Sequence, residues 1–280
     1  MKLEIIAVYE NLEGYLLEME KDNADYNALW DKYAIEPYWE KISQWAPMDM
    51  SDRKPKPIKN ICKLKQQIKV LKEMNLEVIR EEFIRVADVL QNYDDDTIVV
   101  AIYPLDDENN NAKELQNGVQ GVNVFGNIII RVNPFAKDYF KWILYVFAHE
   151  YHHTVWGNYW HVVHGGAAGS FIEALLIDGQ ADLFAKSIYP QLNPTWISQI
   201  SKEQEKELWD KHYSKLLYET DFDYVKYMFG NEELGLPWCA GYFFGYKIME
   251  SFRKFYPKIS FKNILELKPE EIFQMSKYNL

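Results

Sequence analysis

Cysteine is nearly missing from the chain: among 280 residues only Cys62 and Cys239 occur, far apart and outside any CxxC spacing. Neither a disulfide-stapled scaffold nor a cysteine-built zinc site can be the framework, and a reducing compartment is expected. Basic charge is also in deficit. With 31 Lys and Arg against 42 Asp and Glu, the net charge is -11, and this mean field repels both nucleic acid and anionic membrane surfaces. The lysine-rich stretch from Arg53 to Lys72 reads as a linker followed by an amphipathic helix with a solvated face. Long apolar runs are lacking too. Near the N-terminus only Ile5 to Val8 is uninterrupted, with Glu4 and Glu10 on its flanks, which is shorter than a secretory core, and no stretch approaches the roughly 20 residues of a membrane span. We expect no nucleic-acid partner, no membrane insertion and a cytoplasmic location. Internal repeats and low-complexity tracts are absent as well.

What is present is apolar and aromatic: 48% hydrophobic and 16% aromatic residues, too much for a solvated or disordered chain. At this length about three quarters of the unfolded surface can be buried. Texture divides the chain at residue 92. Residues 1–92 read as a short strand, Leu3 to Val8, and then helices, with a proline-rich break at Lys54–Lys59 before a helical stretch ending near Leu90. From Thr97, "TIVVAIY", the loop "PLDDENNN" and "NGVQGVNVFGNIIIRV" read as a small sheet of β-branched residues with glycine turns. Asn133 as cap and Pro134 at the first helical position predict a helix over 134–156, stopped by Gly157. A Gly/His loop follows, and then helices over 169–280.

Histidine is scarce, with six in all, yet three fall in "AHEYHHTVWG", Ala148 to Gly157. His149, Glu150 and His153 form HExxH. On a helix this places two imidazoles one turn apart on one side, where both can ligate one zinc ion, with the Glu beside them as general base. The helix is apolar all round: Phe140, Ile143, Leu144, Phe147, Ala148, Tyr151 and Val155 form one face, and the histidines lie nearly opposite among Trp142, Tyr145, Val146 and Trp156. Such a helix is expected to be buried, and buried imidazoles need partners, since an unsatisfied buried polar group costs roughly 1–3 kcal/mol.

A catalytic zinc takes a third protein ligand and keeps an open position. The metzincin pattern needs Gly and His where this chain has Trp156 and Tyr159, so that class is excluded. His161 and His164 in the following loop remain possible, and in a purely structural four-ligand site one of them would close the sphere. The helix "SFIEALLIDGQADLFA", Ser170 to Ala185, offers acids. Asp178 and Asp182 lie within about 40° of each other on a face lined by small and apolar residues, whereas Glu173 points about 140° away from Asp178. Ser170 and Glu173 match a capping box. Asp178 is therefore the expected third ligand, Asp182 the outer carboxylate that holds an imidazole N–H, and the Ala and Gly neighbours are expected to let this helix approach the histidine helix closely.

These residues resemble the YjaZ-like family of predicted zinc-dependent proteases, of the gluzincin type. The likeness runs from about Thr97 to the C-terminus through "TIVVAIYP", "NGVQG", "NIIIRVNP", "AHEYHH", "IDGQAD" and "PWCAGYFFGYKIMESF", with "LWDKYAIEPYW" at Leu29–Trp39 as an earlier match. It implies an α+β, mostly helical fold: a zincin-like small mixed or antiparallel sheet, an HExxH active-site helix and a C-terminal helical subdomain, with 93–280 as the metallopeptidase region after a mainly helical 1–92. It implies one zinc ion per chain and hydrolysis of peptides or unfolded protein segments. A downstream Tyr or His stabilises the oxyanion in gluzincins, and here Tyr242, Tyr246, His164 and His161 compete for that role. The family pattern Glu-Gly-x-Ala-Glu departs here to Asp178-Gly179-Gln180-Ala181-Asp182, so the shorter acid reaches a metal only if its helix sits about an ångström closer. The strand Asn127–Val132 is expected at the cleft edge, pairing with extended substrate. The alternative is an inactive protease-like domain that uses its cleft to bind a peptide or protein partner.

Overall fold

Two strands that do not alternate between apolar and polar residues organise the sheet. In the computed structural model, which describes residues 2–106 and 115–278, β2 (Thr97–Pro104) and β4 (Asn127–Val132) are buried along nearly their whole lengths and run parallel, side by side. Strands covered on both faces read as continuous apolar runs, which is what TIVVAIY and NIII are. β1 (Lys2–Ala7) pairs parallel with β2, and β3 (Val119–Val124) pairs antiparallel with β4, in the order β1-β2-β4-β3. The sheet is small and mixed, and the chain is mostly helical. The expectation that Asn127–Val132 lies at an edge is overturned: β4 has a neighbour on each side, and among the described residues β1 and β3 are the edge strands. An apolar run does not mark an edge, because an exposed edge does not need one. Residues 107–114, and with them most of the loop expected at Pro104–Asn111, lie outside the described residues.

The described chain divides into two compact units, Met1–Asp88 with Asn92–Thr154, and Val89–Gln91 with Val155–Leu280. In the first, the abundant aromatics bring polar atoms into the core, and three of them find backbone carbonyls. Tyr15 donates to Ile58 O at 2.8 Å, Trp30 Nε1 to Pro55 O at 2.8 Å and Tyr103 to Ala34 O at 2.9 Å. The proline-rich break thus supplies acceptors for two buried rings. Its helix Ile61–Leu71 buries Leu64, Gln67, Ile68 and Leu71 and turns Lys65 and Lys69 outward, so the lysine-rich stretch is a solvated face.

The second unit is built on Phe171–Ile188 and Ala240–Phe255, whose Leu175, Leu176, Phe244 and Ile248 share one apolar core. The two helices cross glycine on glycine. A Cβ added at Gly179 would overlap the Gly245 carbonyl group and lie 2.9 Å from its Cα, and one added at Gly245 would overlap Leu175 O. Within its own unit, therefore, Gly179 admits the C-terminal helix. Since the obstruction is backbone, Gly179→Ala is expected to cost roughly 1–3 kcal/mol by overpacking. An unchanged midpoint in denaturant unfolding would show that the crossing has slack.

Candidate metal centre

The helix that carries the histidines runs Tyr139–Gly157 and starts five residues later than the Asn-Pro pair predicts. Asn133 caps a tight turn instead: its Oδ1 accepts from Phe135 N at 3.0 Å and its carbonyl from Ala136 N at 3.1 Å. Asp138 then takes a positive φ of 57°, which breaks any helical path, and its carbonyl receives the N–H groups of Lys141 and Trp142. At the other end Gly157 does not stop the helix. It keeps helical angles, φ -63° and ψ -40°, and the chain continues as a wider π-helical segment, Asn158–Val163. Residues 142–152 are buried without interruption, as an all-round apolar helix requires. Phe83 stacks on Phe147 and Tyr151 at centroid distances of 5.6 and 5.8 Å.

One turn apart on this helix, His149 and His153 bring their Nε2 atoms to 3.0 Å. Two nitrogens on one tetrahedral zinc at about 2.0–2.1 Å would stand about 3.3 Å apart, so the observed pair needs only a small spread to fit the ion. Glu150, between them in sequence, is buried. Edge strand β3 is tied to the same turn of helix. Asn123 Nδ2 donates to Glu150 O at 3.1 Å and to Thr154 Oγ1 at 2.9 Å, and its Oδ1 accepts from Gly126 N at 3.0 Å. Thr154 Oγ1 in turn donates to Gly126 O at 3.0 Å. No sequence motif marks Asn123. Its only signal is an amide inside a β-branched strand.

The acidic helix, Phe171–Ile188, buries both Asp178 and Asp182. Trp196 Nε1 lies 3.1 Å from each Asp182 carboxylate oxygen. No motif points to this tryptophan; its signal in the sequence is a bulky indole in a proline-bounded turn, which needs an acceptor once buried. The expected capping box is corrected. Ser170 makes no side-chain cap, and the first N–H groups of the helix go to backbone carbonyls, Phe171 to Glu219 O at 2.9 Å and Ile172 to Leu217 O at 2.8 Å. Glu173 instead accepts from Ala168 N at 2.9 Å and Gly169 N at 3.2 Å. Burial raises its carboxyl above the ordinary range, against the lowering by those two donors.

Within the first unit the metal-capable pair is His149 and His153, and within the second the buried acids of the acidic helix are Glu173, Asp178 and Asp182. His161 lies in the π-helical segment that follows the histidine helix, and His164 at its end. Both are exposed, and His164 lies over Tyr159, its ring centroid 4.1 Å away and its Nδ1 2.9 Å from Tyr159 O. Tyr242 and Tyr246 are half-buried at the margin of the second unit's core, Tyr242 against Phe229. Burial, with Glu250 and Asp182 nearby, pushes the Tyr246 hydroxyl up to about 12, so it keeps its proton at neutral pH. Cys62 and Cys239 are free, and burial pushes the Cys239 thiol up. No described helix is long and apolar enough to cross a membrane.

No curated protein and no solved structure matches the chain. A family model does: residues 64–274 match the model of DUF2268, described as predicted Zn-dependent protease, and the chain belongs to that family.

Proposed function

We propose that this protein hydrolyses peptide bonds in peptides or unfolded protein segments, with zinc held by His149, His153 and Asp178. The observation that carries the reading is the HExxH pair, His149 and His153, with Nε2 atoms 3.0 Å apart on one buried helix, in a chain whose family is described as predicted Zn-dependent protease. When bound there, zinc would supply a Lewis acid that acidifies water and polarises a carbonyl. Glu150 accepts the proton of the attacking water at its carboxylate and delivers it to the departing amine nitrogen as the C–N bond breaks. Asp182, which accepts from Trp196 Nε1, is assigned the role of the outer carboxylate that orients an imidazole. Tyr246, Tyr242 and His164 are the candidate donors to the developing oxyanion. An extended substrate backbone can pair with β3, an edge strand.

The first test is metal content. Purified protein is expected to carry about one zinc per chain, as a three-ligand site with one open position requires. Metal-free protein that takes up none on titration would remove the proposal. Zinc-loaded protein that cleaves no unfolded casein or peptide library would instead leave a metal-bearing binding domain.

A further inference from the structure

We propose that Gly121 is a positioning residue for Glu150: by having no side chain it leaves a notch in β3 in which the Glu150 carboxylate rests. The inference rests on reading Glu150 as the general base. A Cβ built on Gly121 would overlap Glu150 Oε1, lie 2.5 Å from Glu150 Cγ and 2.6 Å from Cγ1 of Val146, one turn back on the helix. Real Cβ contacts essentially never fall below 3.0 Å, so any other residue at 121 drives the carboxylate out of its seat or the helix off the strand. Sliding the strand offers no escape. Asn123, two residues on and on the same face, holds the Glu150 carbonyl and the Thr154 hydroxyl at once.

The register gives the notch its purpose. The β3–β4 hairpin closes with Val124 opposite Asn127, and at the far end Asn133 N donates to Gly118 O at 2.8 Å. Antiparallel pairs alternate between hydrogen-bonded and non-hydrogen-bonded, so Gly121, opposite Ile130, falls in a non-hydrogen-bonded pair. Its N–H and C=O therefore point away from β4, toward the edge. One residue thus seats the carboxylate with its missing side chain and faces outward with its peptide groups. That places the base at a set offset from any backbone pairing there.

The test is Gly121→Ala, alone and combined with Glu150→Ala, read by zinc content, by kcat and KM on fluorescein-labelled casein, and by the denaturant midpoint. Gly121→Ala is expected to keep its zinc and its KM while kcat falls by about 100-fold, the scale of a one-ångström misplacement. Its loss of midpoint is expected to shrink by roughly half or more once Glu150 is alanine, because two of the three crowding atoms are then gone. Normal kcat, loss of zinc in parallel with kcat, or the same midpoint loss in both backgrounds would overturn the proposal. If Gly121→Ala does not fold, the double variant is expected to fold, and failure of both counts against the notch. Should the wild-type protein cleave nothing, the hydrolase reading falls, while the midpoint comparison still decides whether Gly121 seats Glu150.

Discussion

A Glu150→Gln variant is expected to bind its full complement of zinc and to lose hydrolysis by a factor on the order of 10² to 10⁴. Glutamine keeps the shape of the side chain, so the seat against Gly121 stays filled and the helix bearing His149 and His153 is not disturbed. What disappears is a basic oxygen: an amide can neither take a proton from water nor return it to an amine. The assay pairs metal analysis with turnover of an unfolded protein. Zinc retained with turnover lost is the expected result, and full turnover in the variant would end the assignment of Glu150 as base. Loss of zinc together with turnover would mean that the carboxylate helps to hold the metal.

Asp178→Ala is expected to weaken zinc binding by more than the roughly 10–100-fold that follows loss of an outer hydrogen-bond partner, because it removes a ligand. Glu173→Ala is the control on the same helix. Glu173 is also buried, but its oxygens are taken by the Ala168 and Gly169 N–H groups, so its removal leaves two donors without their acceptor and is expected to cost about 0.5–2 kcal/mol, as for loss of a helix cap. Competition with a chelator of known affinity measures the first effect, and denaturant unfolding the second. If Glu173→Ala loses the metal and Asp178→Ala keeps it, the wrong acid carries the assignment. The comparison is informative because the two acids share burial and helix and differ in where their side chains point.

The helix termini show why part of the local structure was illegible. Asn-Pro-Phe has the residues of a helix start, yet a turn uses the same chemistry: an Asn side chain accepts a nearby backbone N–H equally well in either. Positive φ at Asp138 decided between them, an angle that Asp tolerates better than most residues but does not require. The capping box failed for a related reason. Ser170 and Glu173 have the right spacing, but the N–H groups of Phe171 and Ile172 found carbonyls at Glu219 and Leu217, more than forty residues along the chain, and left the serine without that task.

Sheet order was likewise hidden. Continuous apolar runs correctly marked β2 and β4 as strands, but they mean burial on both faces, and reading one of them as an edge inverted that meaning. β3, with its glycine and asparagine, looks like the poorer strand, and it lies at the edge next to β4.

By itself the sequence determined what depends on a single helix: the one-turn spacing of His149 and His153, the burial of an all-apolar helix, and the placing of Asp178 and Asp182 on one side with Glu173 on another. These follow from 3.6 residues per turn, a local geometry that every helix shares. Only the tertiary structure decided the contacts that join distant segments: Gly121 against Glu150, Asn123 across to Thr154, Gly179 on Gly245, and Trp196 on Asp182. Each depends on which backbone comes close to which, and close approach is a property of packing that a residue's type permits but does not specify.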